Sequence, residues 1–277
     1  MKIVCIVALY HPDPKELYEI SRYIDDTDQM FLMDDSETSN QHLISECLGD
    51  FAGKCSYIWN ERNIGLCASV NRGITYALEN GADWILLMDQ DSAFQTNILS
   101  AFRNHIKIHE TEAICALAPQ YNYDRHKRQP YRGTKLLKWA NMSGTLLNAG
   151  LLKSIGKFDE RLFIDGLDVE WCTRARSKGY QIIEVGEAVL YHHPAFTKEF
   201  SLKNKVLFRY GWDKPSRYYY QFRSYWYIIK KYHDVESIKW FLVKLCKVLL
   251  LFEHKREYIR MFIKGVRDAN RGNWGKI

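Results

Sequence analysis

The eight residues Trp84-Ile85-Leu86-Leu87-Met88-Asp89-Gln90-Asp91 decide how the rest of the chain is read. Five apolar residues in succession predict a buried strand, and the polar tripeptide after them ends it. Two carboxylates separated by one residue, just past a buried strand, can converge on a divalent cation, because Mg²⁺ and Mn²⁺ prefer oxygen ligands. The competing reading is local. Asp91 or Ser92 can cap a helix that follows the strand.

Working outward, the same grammar repeats. Ile3–Leu9 is an apolar run ending at Tyr10-His11-Pro12, a first strand and its turn. Leu17, Ile20, Tyr23 and Ile24 fall on one face of a helix. Met30–Met33 is a second strand, stopped by Asp34-Asp35-Ser36; a helix around Asn40–Leu48, a strand near Tyr57–Trp59 and a helix over Leu66–Glu79 follow. Alternating strands and helices mean βαβ units, a mainly parallel sheet and helices on both faces. Ligands in such sheets bind at the carboxyl ends of strands. Downstream, residues 122–138 are polar and basic and predict a loop, and Ser143–Asn148 predicts a strand. Asp159–Gly179 reads as an acidic turn and a helix, and Ile182–His193 as one or two short strands. From Lys203 the text turns helical, aromatic and basic. The expected division is a body over 1–200, with halves of about 1–118 and 119–200, and an extension over 201–277.

Composition excludes several classes. The chain has 277 residues, 47% of them hydrophobic, with 6 Pro and 16 Gly, which is neither disordered nor collagen-like. Seven scattered cysteines without a C-x-x-C pair form no disulfide framework and no zinc motif, so a reducing, cytoplasmic compartment is expected. The start lacks a signal-peptide pattern, and no run approaches the roughly 20 apolar residues of a membrane span. The net charge of +6 hides an asymmetry. From Phe196 to Ile277 there are 19 Lys+Arg against 7 Asp+Glu, a net of +12, whereas the first 195 residues hold 20 and 26, a net of −6. The tail also carries 19 of the 39 aromatic residues, so it is expected to meet something anionic.

Other candidates cluster at the same predicted sheet edge. Asp34 and Asp35 end the second strand. Asn63-Ile64-Gly65 opens a helix, where a glycine lets the backbone approach a phosphate, and Arg72 adds positive charge. Each of these is an ordinary turn or cap when taken alone; together they describe a nucleotide–metal pocket. Asp168, within Asp165-Gly166-Leu167-Asp168, sits at a helix start, either as a cap or as a general base for an acceptor hydroxyl. One of His192 and His193 can complete a metal site, since neighbours on a strand point opposite ways.

The order Asp34-Asp35-Ser36, Asn63-Ile64-Gly65, Asn71-Arg72-Gly73-Ile74, Asp89-Gln90-Asp91-Ser92, Ser143-Gly144, then Phe158 to Asp165 and Asp168 to Cys172, resembles family 2 inverting glycosyltransferases with the GT-A fold. The D-Q-D-S form, the acidic run ending in Trp171-Cys172, and Pro215-x-Arg217-Tyr218-Tyr219 with Arg223 look most like the bacterial rhamnosyltransferases of that family. The resemblance covers about residues 1–230. It implies an α/β GT-A catalytic domain, a Rossmann-like mixed sheet with helices on both faces, plus a C-terminal helical extension. It implies that Asp34 or Asp35 contacts the nucleoside beside Tyr10, and that Asp89, Asp91 and His192 hold Mg²⁺ or Mn²⁺. Asp168 would then be the catalytic base, with Ser143, Gly144, Asp165, Trp171, Arg217 and Tyr218 toward the acceptor. In this family's pattern an acidic residue often precedes the catalytic aspartate, where this chain has Leu167.

What the resemblance implies for the reaction is transfer of a sugar, L-rhamnose from dTDP-L-rhamnose, onto a glycan or lipid-linked saccharide in cell-surface polysaccharide synthesis. The alternative is a galactofuranosyl- or hexosyltransferase using a UDP-sugar. A D-x-D phosphatase would carry its motif on the first strand, and a single-stranded nucleic-acid binder does not suit the acidic body. Residues 235–266 place Ile238, Phe241, Leu242, Leu245, Val248 and Leu249 at helical spacing among lysines. They either pack on the body or lie on an anionic membrane surface, which would put the protein peripherally on the inner face of the bacterial cell membrane. Tyr218-Tyr219-Tyr220, Phe222 and Arg223 are expected to stack on acceptor sugars, and a homo-oligomer is compatible with all of this.

Overall fold

A computed structural model describes residues 1–277 other than Ala52, Glu110, His126, 193–195 and Asn204, and leaves out the side chain of Asp50. The first half runs β1 (Ile3–Leu9), α1 (Pro14–Ile24), β2 (Gln29–Asp34), α2 (Gln41–Leu48), β3 (Cys55–Trp59), α3 (Leu66–Glu79) and β4 (Trp84–Asp89). Then come β5 (Ala93–Phe94), α4 (Ile98–Ile108), β6 (Ile114–Asn122), β7 (Thr134–Leu137), β8 (Leu146–Asn148), α5 (Leu152–Ile155), α6 (Leu167–Ser177) and β9 (Gln181–Tyr191). The chain closes with β10 (Phe196–Leu202), β11 (Lys205–Trp212), α7 (Pro215–Tyr232), α8 (Val235–Leu251) and α9 (Lys255–Arg271).

Local chemistry accounts for these boundaries. Asp13 caps α1 and exchanges hydrogen bonds with Glu16, Pro14 opens the helix, and Leu17, Ile20, Tyr23 and Ile24 are its buried face. In β1 and β4 every residue from Ile3 to Val7 and from Trp84 to Met88 is buried, as strands covered on both faces must be. The strand order is β3-β2-β1-β4-β8-β6-β9, with β5 and β7 both paired to β9. Pairs among β1, β2, β3 and β4 are parallel, as is β6 with β9, while β8, β5 and β7 pair antiparallel. The chain steps from β1 outward to β3, then returns across to β4. Right-handed crossovers place α1 and α2 on one face and α3 on the other. Accordingly α1 packs on α2, and α3 on β1 and β2. A crevice therefore opens between the carboxyl ends of β1 and β4, where the order reverses.

Four expectations change. The loop read over 122–138 contains β7, and β6 runs on to Asn122, because the whole of β6 is buried between β8 and β9. The strand read over Ser143–Asn148 shortens to Leu146–Asn148; Ser143 and Gly144 form the turn before it, with Gly144 at φ +78°. The first structure beyond residue 200 is a hairpin and not a helix. Phe200 stacks on Phe208 at 5.1 Å and Glu199 pairs with Arg209 at 2.8 Å across it. The apolar run over 235–266 is two helices, interrupted at Phe252-Glu253-His254. The remainder of the C-terminal part is helical, with its own core of Tyr218, Phe222, Tyr225, Ile228, Phe241, Val248, Phe252 and Tyr258.

Candidate active site

Register sets the first residues of the site. Asp34 pairs with Leu9 and Asp89 with Ala8, so both strands end at the same edge as β1. Tyr10 follows β1, is exposed, and is tied to that edge: its N–H donates to Gln90 Oε1 at 2.7 Å and its hydroxyl reaches Glu37 at 3.2 Å. The short β5 pairs with Leu190 and Tyr191, which carries the turn after β4 onto the end of β9. Asp89, Asp91 and His192 then present ligand atoms within 4.8 Å of one another. Asp91 is exposed, Asp89 part-buried and His192 buried. Burial pushes the Asp89 carboxyl up to about 6, with the Arg217 charge pulling the other way.

Behind this triad runs a chain of hydroxyls. The Asp89 N–H donates to Ser143 Oγ at 2.9 Å, Ser143 Oγ–H donates to Ser92 Oγ at 2.8 Å, and Ser92 Oγ meets His192 Nδ1 at 2.9 Å. Ser143 and Ser92 are almost fully buried. Ser143 therefore stands behind the triad; Gly144 beside it packs so closely on Leu190 and Pro119 that a Cβ would lie 2.6 Å from the leucine. Ser92, a candidate helix cap and the last residue of the D-Q-D-S form in the sequence, thus stands against His192. Its position one residue after the acidic pair was the available signal.

Asp168 stands in the first turn of α6, behind Gly166 at φ +82°. A Cβ on Gly166 would lie 2.8 Å from Ser224 Cβ, so glycine is what lets α6 start against α7. Asp168 Oδ1 accepts from the Val169 N–H at 2.8 Å. Burial pushes its carboxyl up to about 6; the charges of Asp165 and Asp89 add to the rise, while backbone hydrogen bonds oppose it. Asp165 itself is paired with Arg217 at 3.0 Å. Asp168 thus feels the charges of Asp165 and Asp89, and Asp89 that of Arg217.

Other candidates hold the frame. Asp34 is fully buried and accepts from Ser36, Asn40 and Tyr57. Asp35 accepts from the N–H groups of Ile64 and Gly65 at 2.8 and 2.9 Å, which fixes the turn before α3. Asn63 Oδ1 accepts from the same Gly65 N–H. Gly65 lies against Phe163. Exposed Arg72 donates to Asn60 Oδ1 at 3.0 Å. Trp171 is buried with its indole N–H on the Gly156 carbonyl, and Tyr218 is in the C-terminal core. Glu170, in the first turn of α6, is fully buried and answers Arg174, Lys231 and Tyr232, so it ties α6 to α7. Tyr219, Tyr220, Phe222 and Arg223 are likewise buried, with Arg223 bonded to Tyr219 and the carbonyls of Asn273 and Gly275. They brace the C-terminus. His193 lies outside the described residues.

A doubly wound half-sheet, an acidic pair after its fourth strand and an aspartate opening a later helix define a class. Residues 17–163 match Glycosyl transferase family 2, and the chain belongs to that family. It is 23% identical over 301 residues to the dTDP-rhamnosyl transferase RfbF of Shigella flexneri, covering 99% of this chain and 97% of that protein. It is 26% identical over 200 residues to the galactofuranosyltransferase GlfT1 of Mycobacterium tuberculosis, with 64% of each chain covered. Among solved structures, GalNAc-T7 with UDP, GalNAc and Mn²⁺ superposes with a TM-score of 0.62 at 12% identity, over 98% of this chain and 56% of that one. TarS residues 1–349 of S. aureus in complex with UDP-GlcNAc superposes with 0.60 at 16% identity, over 99% and 84%. The fold is the GT-A glycosyltransferase fold with a helical C-terminal part, and the protein is a glycosyltransferase.

Proposed function

We propose that this glycosyltransferase moves L-rhamnose from dTDP-L-rhamnose onto a saccharide or lipid-linked saccharide acceptor, with inversion, in cell-surface polysaccharide synthesis. The observation that carries the reading is the part-buried Asp168 carboxyl within electrostatic reach of Asp89 of the Asp89–Asp91–His192 triad. Full-length similarity to a dTDP-rhamnosyl transferase supports the donor. A galactofuranosyl donor on UDP is the second reading, favoured by the partial match to GlfT1.

The two carboxylates supply the oxygen ligands that Mn²⁺ or Mg²⁺ prefers, and the desolvated Asp89 carboxylate gains from a cation beside it. Asp89, Asp91 and His192 would hold the ion. A His192 tautomer that donates Nδ1–H to Ser92 Oγ carries its lone pair on Nε2, the form in which an imidazole ligates a metal. The bound ion supplies charge stabilisation for a leaving diphosphate. Tyr10 and Asp35 border the nucleoside side. Asp168 takes the proton of an acceptor hydroxyl as its oxygen attacks the anomeric carbon from the face opposite the nucleoside diphosphate. The new C–O bond forms as the bond to phosphate breaks, and no enzyme nucleophile takes part. A β-linked donor gives an α-linked product.

The catalytic unit in this reading is residues 1–200, and 201–277 is an extension that meets the membrane. No helix among the described residues is long and apolar enough to cross a membrane. Leu242, Val243, Leu249 and Leu250 of α8 are nonetheless exposed, as are Leu202, Val206, Leu207 and Phe208 of the hairpin. With the net charge of +12 beyond Phe196, they suit the anionic inner face of a bacterial membrane. A nucleotide-release assay over a panel of sugar donors, with Mn²⁺ or Mg²⁺ and a lipid-linked acceptor extract, tests the donor. dTDP-L-rhamnose is expected to be turned over at least 10-fold faster than UDP-galactofuranose or UDP-hexoses, roughly the discrimination one group in a pocket supplies. The reverse preference overturns the rhamnose assignment.

A further inference from the structure

Three cations meet beside the catalytic pocket. Lys244 and Lys247, one turn apart on α8, both stand over the Tyr218 ring, at 5.9 and 5.8 Å from its centroid. Lys247 Nζ donates to the Gly211 carbonyl at 2.8 Å. Arg125 arrives at the same residue from the loop after β6, its terminal nitrogen 3.1 Å from where a Cβ of Gly211 would lie. Arg125 also donates to Thr197 Oγ1 at 3.1 Å and lies 5.6 Å from the centroid of Tyr123.

Asp165, Asp168 and Asp213 attract Lys244 at longer range. Asp165 and Asp213 flank Arg217, at 3.0 and 3.9 Å. Arg125 has Asp124 at 3.5 Å. Among the described residues Lys244 and Lys247 have an amide and a carbonyl as their hydrogen-bond acceptors, at Gln221 and Gly211, and no carboxylate. Lys247, part-buried beside like charges and bonded to a carbonyl, is the member of the cluster that an added anion stabilises most. Burial, with Lys244 and Arg125 as like-charged neighbours, pushes the Lys247 ammonium down to about 8.

We propose that Arg125, Lys244 and Lys247 form a phosphate-binding subsite on the acceptor side of the pocket, separate from the Asp89–Asp91–His192 triad, which takes a phosphate or diphosphate group carried by the acceptor. Its side is set by α7. Gln221, which accepts from Lys244, stands one turn from Arg217, and Arg217 holds Asp165 three residues before Asp168. Assignment to the acceptor rests on Asp168 being the base; the binding itself does not.

Titration calorimetry of the metal-free protein in EDTA with inorganic pyrophosphate tests the subsite. Binding is expected, and Lys247→Gln and Arg125→Gln should each weaken it roughly 10- to 100-fold, as for loss of a charge-assisted hydrogen bond. Asp91→Ala should leave it unchanged, and circular dichroism checks the fold of each variant. Lys203→Gln on the exposed hairpin removes a charge elsewhere and should have no effect. Failure of the wild type to bind, loss in Asp91→Ala, or equal weakening by Lys203→Gln would each overturn the subsite. In transfer assays, Lys247→Gln should raise the acceptor KM at least 10-fold with the donor KM unmoved. The opposite split would assign the anion to the donor and refute the acceptor side.

Discussion

At Asp168, burial and neighbouring negative charge hold a carboxyl at about 6, well above an ordinary aspartate. A base must be ionised to act, so kcat/KM should fall as pH drops through about 6 and level off above it. Asp168→Asn should remove about two to four orders of magnitude of turnover, the usual contribution of a general base, and abolish that acid limb. Retained turnover with the limb intact would place the base elsewhere. In the proposed reading Ser92 acts through His192. Ser92→Ala should weaken Mn²⁺ affinity about 10-fold, as loss of a ligand's hydrogen-bond partner does, measured by metal titration in the absence of donor. Unchanged affinity would remove Ser92 from the site. The acidic pair and Asp168 stood out in the sequence because strand ends and helix starts are marked by polarity. Ser92, Arg125 and Lys247 did not, because their partners lie far away along the chain.

Elements were legible where one period dominated. β1, α1, β4 and α3 follow runs of apolar residues or helical spacing, and their ends carry Asp, Pro or Gly signals. β7 and the β10–β11 hairpin were not. Their exposed aromatic and basic residues match no buried face, and pairing with β9 or with each other decides them. Likewise the apolar text of α8 does not say which side is covered: Phe241 and Val248 are buried while Leu242 and Leu250 are not. That exposed side gives the element its own prediction. The protein should float with vesicles containing anionic lipid at low salt and release as salt rises. Replacing Leu242 and Leu250 by Asp should reduce the bound fraction several-fold, since each buried leucine contributes about 1.5–3 kcal/mol. Vesicle binding insensitive to both salt and these substitutions would leave α8 without a membrane role.

Over the whole molecule, the charge asymmetry resolves into two neighbourhoods. Acidic side chains of the body gather at the β1–β4 crevice, though Asp34 and Glu170 are spent on structure. Basic residues of the C-terminal part flank the same crevice through Arg217, Lys244 and Lys247. In the proposed reading the Asp89–Asp91–His192 triad takes the cation and Asp168, which also attracts Lys244, takes the proton. Such a division separates donor binding from chemistry, and the two should come apart by mutation. Calorimetry of dTDP-L-rhamnose into wild type, Asp168→Asn and Asp91→Ala, each with Mn²⁺ and with EDTA, measures this directly. The account predicts Mn²⁺-dependent binding of equal strength to wild type and Asp168→Asn, and its loss in Asp91→Ala. Binding that ignores the metal, or survives in Asp91→Ala, would contradict it.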